Sequence, residues 1–158
     1  MVSAFALFST PRKESLLIGV PVSLAGLLLR GWAAGHLAKD RSLAATGPYA
    51  HVRNPLYLGT AMVAAGFAVA SRQWTLAMLF AGIFLFIYLP AIELEEQHLR
   101  ALFSEYGEYS AHVPPLLPAI GKANAGRFRL DLYVRNKEYQ ALLGFLAGLA
   151  FLVWKAAR

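Results

Sequence analysis

Gly47-Pro48-Tyr49-Ala50-His51-Val52-Arg53-Asn54-Pro55-Leu56-Tyr57-Leu58-Gly59 is a polar, turn-forming stretch that opens directly into an apolar run. Residues 55–71 carry no acidic or basic side chain, and neither do residues 15–29, 75–91 and 139–154. A bilayer span takes roughly 20 residues at ~1.5 Å of rise each, and these runs of 15 to 17 residues are slightly shorter. Flanking residues lengthen the first as far as residue 38, and Lys155 can snorkel from the last. The reading is an all-α, multi-pass transmembrane bundle of about four spans, at roughly 15–38, 55–71, 75–92 and 138–155. It forms a single domain over residues 1–158, with an interfacial helix and loops on the cytoplasmic side.

Composition agrees. Of 158 residues, 58% are hydrophobic and 15% charged, more apolar than a soluble domain. The competing architecture is a soluble four-helix bundle with fully buried helices. With no cysteine, disulfides, thiol nucleophiles and Cys-ligated metals are excluded. Residues 1–10 are mildly apolar, but Arg12, Lys13 and Glu14 follow them instead of preceding them. They therefore read as an interfacial segment and not as a signal peptide. His36, His51, His98 and His112 lack metal-ligand spacing, so no metal site is expected.

The net charge of +6 is distributed by membrane side and gives no reason to expect nucleic acid. Lys39, Arg41, Arg53, Arg100, Lys122, Arg127, Arg129, Arg135 and Lys137 fall in the first and third connections. Arg12, Lys13, Arg72, Lys155 and Arg158 fall on the other side. Nine against five puts the polar connections in the cytoplasm. Only residues 72–74 join the second and third runs, which predicts an antiparallel hairpin. Trp32, Trp74 and Trp154 sit at or near span ends, as interfacial aromatics do. Gly31-xxx-Gly35 and Gly144-xxx-Gly148 are candidates for close helix packing.

Two polar clusters carry the chemistry. Asn54-Pro55 is a helix start, with Asn as N-cap and Pro first in the helix. The free N–H groups of such an end attract carboxylate or phosphate, and Arg53 adds a full charge. Tyr49 and Tyr57 supply hydroxyls and flat surfaces. The second cluster is Glu93-Leu94-Glu95-Glu96-Gln97-His98. There Glu96 shares a helix face with Ile92, Leu99, Phe103 and Tyr106, so it needs a cationic partner. Pro90 is expected to kink this helix, which should end before the prolines of residues 113–118. Residues 119–136 read as a loop. A ligand bearing a carboxylate, an ammonium and a second cationic centre suits both clusters, as S-adenosylmethionine does; NADPH suits only the anion site. The plainer alternative is a capped helix whose Arg53 meets lipid phosphate, with the glutamates paired to Arg53, Arg100 or His98.

The segments Thr46-Gly47-Pro48-Tyr49, Val52–Gly59, Glu95-Glu96-x-x-Leu99, Phe103, Tyr106-x-x-Tyr109 and Val113-Pro114 together resemble the isoprenylcysteine carboxyl methyltransferases and the related phospholipid methyltransferases. The resemblance spans about residues 25 to 118. It implies an integral-membrane, S-adenosylmethionine-dependent methyltransferase with its active site on the cytoplasmic side. The implied acceptor is lipophilic or amphiphilic, isoprenylcysteine-carboxylate-like in the first place, with a phospholipid amine or small thiol as the alternative. Membrane lipids are the other partner. By carry-over, Tyr49, Val52, Arg53, Asn54, Pro55, Tyr57, Leu58, Glu95, Glu96 and Leu99 bind the cofactor. Arg53, Glu96 and His112 are the catalytic candidates.

The chain departs from the family pattern in three places. Asn54 stands where the family has His, Ser104 replaces a Gly with the next tyrosine one residue closer, and His112 replaces an Arg. The last change removes a cation that would face a substrate carboxylate. In-line methyl transfer asks the protein mainly to align reactants and exclude water. Glu96 or His112 could act as base for an amine, and Arg30 or Arg100 could orient an anionic acceptor. An NADPH-dependent membrane reductase and a non-enzymatic membrane scaffold are the alternatives of another class.

Overall fold

The computed structural model describes residue 5, residues 7–119 and residues 126–158. Among these residues helices are joined by turns and loops, with no strand. We name α1 (Lys13–Ala34), α2 (Pro55–Ser71), α3 (Trp74–Leu102), α4 (Tyr106–His112), α5 (Leu130–Arg135) and α6 (Tyr139–Ala156); a short 3₁₀ turn covers Gly47–Ala50. Helices α1, α3 and α6 are long and apolar enough to cross a membrane. Helix α2 is also apolar but has 17 residues, about 25 Å at ~1.5 Å per residue, which is the lower end of what spans a ~30 Å core.

The tightest seam is α1 against α2. A Cβ at Gly26 would lie 2.6 Å from the carbonyl oxygen of Gly59, and one at Gly19 2.6 Å from the backbone nitrogen of Ala70. Only hydrogen fits at these crossings, so the backbones approach closely. Ser23 Oγ donates to Val63 O and Ser15 Oγ to Ala70 O, both at 2.9 Å. The glycine pairs singled out by spacing behave differently. Gly35 lies under the ring of Phe128, Gly148 faces Phe67, and Gly144 has nothing within 4 Å. These three meet rings or open space, so the close helix crossing falls elsewhere.

Helix α1 stops at Ala34 and does not run on to residue 38. Its terminal carbonyls are taken by other partners: Arg129 N–H donates to Gly35 O, and Asn136 Nδ2 donates to Ala34 O and Leu37 O, each at 2.9 Å. The second span coincides with its expected limits. The third is one helix from Trp74 to Leu102 that includes a π-helical stretch, Phe84–Tyr88. That stretch lies where Pro90, lacking an N–H, cannot bond the carbonyl four residues back, and the widened turn absorbs the mismatch. The helix ends at Leu102, earlier than the prolines require, because Phe103 turns to extended backbone (φ −124°, ψ 115°); α4 then ends before Val113.

Part of the expected loop over residues 119–136 is instead helix α5, and residues 120–125 lie outside the described ones. So do residues 1–4 and 6 of the expected interfacial segment; within it, Phe5 packs edge-on against Phe67 at 5.8 Å.

Candidate active site

The Pro-rich segment after α4 lies alongside the residues that precede α2. Arg53 N–H donates to Pro114 O at 2.9 Å, Asn54 N–H to Pro115 O at 3.2 Å, and Ala119 N–H to His51 O at 2.9 Å. Gly47 turns the chain with φ +59°, a conformation that costs glycine little, while the His36 ring occupies the space a side chain would need. Tyr109 Oη donates to Tyr49 O at 2.7 Å and ties the 3₁₀ turn to α4.

These contacts enclose a cavity of about 670 Å³, within the ~300–1,000 Å³ of small-molecule sites. Tyr49, Arg53, Asn54, Pro55, Tyr57, Glu95 and Leu99 all line it. The two sequence clusters, some 40 residues apart, therefore meet at one place. Val52, Leu58, Glu96 and His112 do not line the cavity. Val52 is buried. His112 is exposed, its Nδ1 within 2.9 Å of Glu108 O.

Glu96 works one layer back. It is buried, its Oε1 accepts from Asn54 Nδ2 at 3.1 Å, and Arg53 Nε lies 3.3 Å away. This pair supplies the cation that a carboxylate on an apolar helix face requires. Asn54 spends its side chain on Glu96 and on Pro115 O, at 3.2 Å, and so does not cap α2 as its residue type suggests. The first intrahelical bond is Leu58 N–H to Asn54 O. The earlier N–H groups of Leu56 and Tyr57, both cavity residues, thus carry no side-chain cap. Glu95 faces the cavity, and its Oε2 accepts from Tyr57 Oη at 2.9 Å.

Tyrosines complete the wall. Tyr106 is buried and lines the cavity, yet its hydroxyl has no hydrogen-bond partner among the described residues. Burial, reinforced by the Glu96 charge, pushes its pKa up to about 12. Tyr49 is held well above the ordinary tyrosine value by burial and by Glu95, and Tyr109 by burial and Tyr106. All three are neutral donors at physiological pH.

Sequence reasoning did not foresee the arm formed by Leu37, Lys39, Asp40 and residues 42–44, which closes one side of the cavity. Nor did it foresee Glu138 as the partner of Arg30. An arginine inside an apolar run needs a carboxylate, and that residue type in that place was the available signal. The expectation that Arg30 or Arg100 orients an anion meets a different geometry. Arg30 is engaged by Glu138, and Arg100 is exposed, 5.9 Å over the Tyr106 ring and outside the cavity lining.

An all-helical chain with membrane-length apolar helices and a polar cavity at the head of α2 fits a membrane enzyme. Residues 19–106 match the model of the phospholipid methyltransferase family. The match covers more than half of the chain, which belongs to this family of membrane methyltransferases.

Among curated relatives, it is similar to the nickel-cobalt-cadmium resistance protein NccN of Alcaligenes xylosoxydans xylosoxydans, 29% identical over 87% of this chain and 60% of the relative. It is 39% identical to the methanethiol S-methyltransferase of Crocosphaera subtropica over 47% of this chain and 28% of that protein. With the protein-S-isoprenylcysteine O-methyltransferase of Schizosaccharomyces pombe it shares 26% identity over 73% of this chain and 52% of that enzyme. The chain thus spans less than two thirds of the length of each of these relatives. No solved structure matches.

Proposed function

We propose that this chain is an integral-membrane methyltransferase that uses S-adenosylmethionine to methylate a lipophilic or amphiphilic acceptor, with its cavity at the cytoplasmic face. One observation carries the reading: the uncapped head of α2 and the Glu95 carboxylate face the same cavity. That is the pairing needed by a ligand with a carboxylate at one end and cationic centres beside it. The buried Tyr106 hydroxyl, near the Glu96 carboxylate but without a hydrogen bond of ordinary geometry, is a further donor at the cavity wall.

When bound, S-adenosylmethionine supplies a methyl group on a cationic sulfur, which leaves as a neutral thioether keeping the electron pair of the broken bond. The chain's own residues bind and orient. The Leu56 and Tyr57 N–H groups, in the field of Arg53, receive the carboxylate. Glu95 takes the ammonium or ribose hydroxyls, with Tyr57 holding its other oxygen. Glu96, outside the cavity lining, positions Arg53, and Asn54, which lines the cavity, holds Glu96. The base role drawn for Glu96 and His112 leaves the reading, because neither side chain reaches the cavity. Leu99, Phe103 and Tyr88 wall the cavity and exclude water, which strengthens the electrostatics within.

The test is calorimetric titration of the detergent-purified chain with S-adenosylmethionine, S-adenosylhomocysteine and NADPH. Saturable binding of the first two and not the third is the expected result. Binding of NADPH alone would replace this reading with a reductase, and binding of none would leave a scaffold.

A further inference from the structure

A second cavity, of about 250 Å³, lies among α1, α2 and α6 and is lined by Leu27, Val63, Phe67, Ala141, Gly144 and Phe145. Two further residues line both this cavity and the larger one, Arg30 and Thr60. They form the junction between an apolar pocket and the polar site. An amphiphile with its tail among these apolar side chains would present its head at this junction.

Arg30 is tightly bound there. Its Nε donates to Glu138 Oε1 at 2.6 Å and its Nη2 to Oε2 at 2.9 Å, the bidentate fork of a strong ion pair. Its Nη1 donates to Leu56 O at 3.3 Å and to Thr60 Oγ1. Four of its five N–H groups are thus engaged. Glu138 is buried and precedes α6, outside the residues that match the family model. Its carboxylate does not line either cavity.

We infer that Glu138 sets the charge specificity of the acceptor site by neutralising Arg30, so that the junction admits an uncharged headgroup and disfavours a carboxylate. This deepens the methyltransferase reading and rests on it for the meaning of "acceptor". The pair presents no net charge where an arginine alone would attract an anion, and the fork leaves one N–H for a neutral head. Bringing a carboxylate into this partly buried place would strip its water while offering no free cation in return. Glu138 acts through Arg30 and is a positioning residue.

The experiment measures binding of octanoate and 1-octanol, equal in chain length and opposite in head charge, to detergent-purified protein saturated with S-adenosylhomocysteine. Wild type should bind octanol better than octanoate. Glu138→Gln frees the Arg30 charge and should shift the octanoate-to-octanol affinity ratio toward octanoate by about tenfold. The double variant Arg30→Gln/Glu138→Gln, again neutral, should restore the original ratio. A wild type that prefers octanoate, or that binds neither probe saturably, overturns the inference. So does a Glu138→Gln protein that holds S-adenosylhomocysteine with an unchanged ratio. Should Glu138→Gln fail to accumulate, the wild-type ratio still decides, together with Glu138→Asp, which keeps the charge and must keep the preference. Failure of S-adenosylhomocysteine to bind wild type would strike the methyltransferase reading itself, whatever the probe ratio.

Discussion

Helices α1 and α3 are both long and apolar, yet they are held in different ways. Within the chain, 28% of the apolar stretch of α1 is buried against 6% of that of α3. The α1–α2 seam is closed by glycine contacts and the hydroxyls of Ser15 and Ser23, so its stability comes from backbone proximity along most of its length. Helix α3 presents Trp74, Phe86, Ile87 and Leu94 outward, as a lipid-facing helix does, and is tied chiefly at its ends. At one end is the short hairpin. At the other are Tyr57 to Glu95, Asn54 to Glu96, and Arg53 beside Glu96. The same polar groups that dock α3 also shape the cavity, so in this region structure and site are one set of contacts. In the seam they are separate.

The comparison can be broken first at the seam. Gly66→Val forces a branched side chain against Ser23 and the Gly19 carbonyl and should cost about 3 kcal/mol, read as loss of the monodisperse detergent-purified peak and a lower melting temperature. Glu96→Gln tests the other kind of tie. It leaves Arg53 without its carboxylate, which should cost about 2 kcal/mol and, through misplaced Arg53, lower S-adenosylmethionine affinity about tenfold or more. Glu95→Gln should separate the two effects: a similar loss of cofactor affinity, with stability changed by no more than ~0.5 kcal/mol. Equal damage to stability from both substitutions would show that Glu95 and Glu96 dock α3 to the same extent.

Tyr106→Phe removes a hydroxyl with no protein partner. Melting should hold or rise slightly while cofactor affinity falls about threefold; unchanged affinity would remove Tyr106 from the ligand's contacts. Its pKa near 12 means that this variant leaves the binding pH profile around neutrality unaltered, since the hydroxyl is protonated throughout. The smallest effect is expected at Gly82, which has nothing within 4 Å of a built Cβ. Gly82→Ala on the uncovered helix should be neutral or raise stability by about 0.5 kcal/mol, in contrast to its opposite at Gly66.

Much of the architecture was legible in the chain itself, because burial in lipid imposes a simple condition: every backbone polar group must be satisfied within the segment. Uncharged runs therefore had to be helices, and Asn54-Pro55 had to begin one. The meeting of the two polar clusters was legible too, since Glu96 on an apolar face demanded a cation and Arg53 was available. What sequence could not settle was which side chain serves which neighbour. Asn54 has the composition of a cap but donates to Glu96 and Pro115, and adjacent glutamates divide into one that faces the cavity and one that faces its support. Spacing marked the wrong glycines for the close crossing, because a period says which residues share a face and not which face meets another helix. Arg30 announced its need of a partner, but the choice of Glu138, 108 residues away, was made by the packing of α1, α2 and α6. Local patterns follow from the chain's own geometry and the solvent around it; pairings between distant residues depend on distances that exist only once the helices have packed.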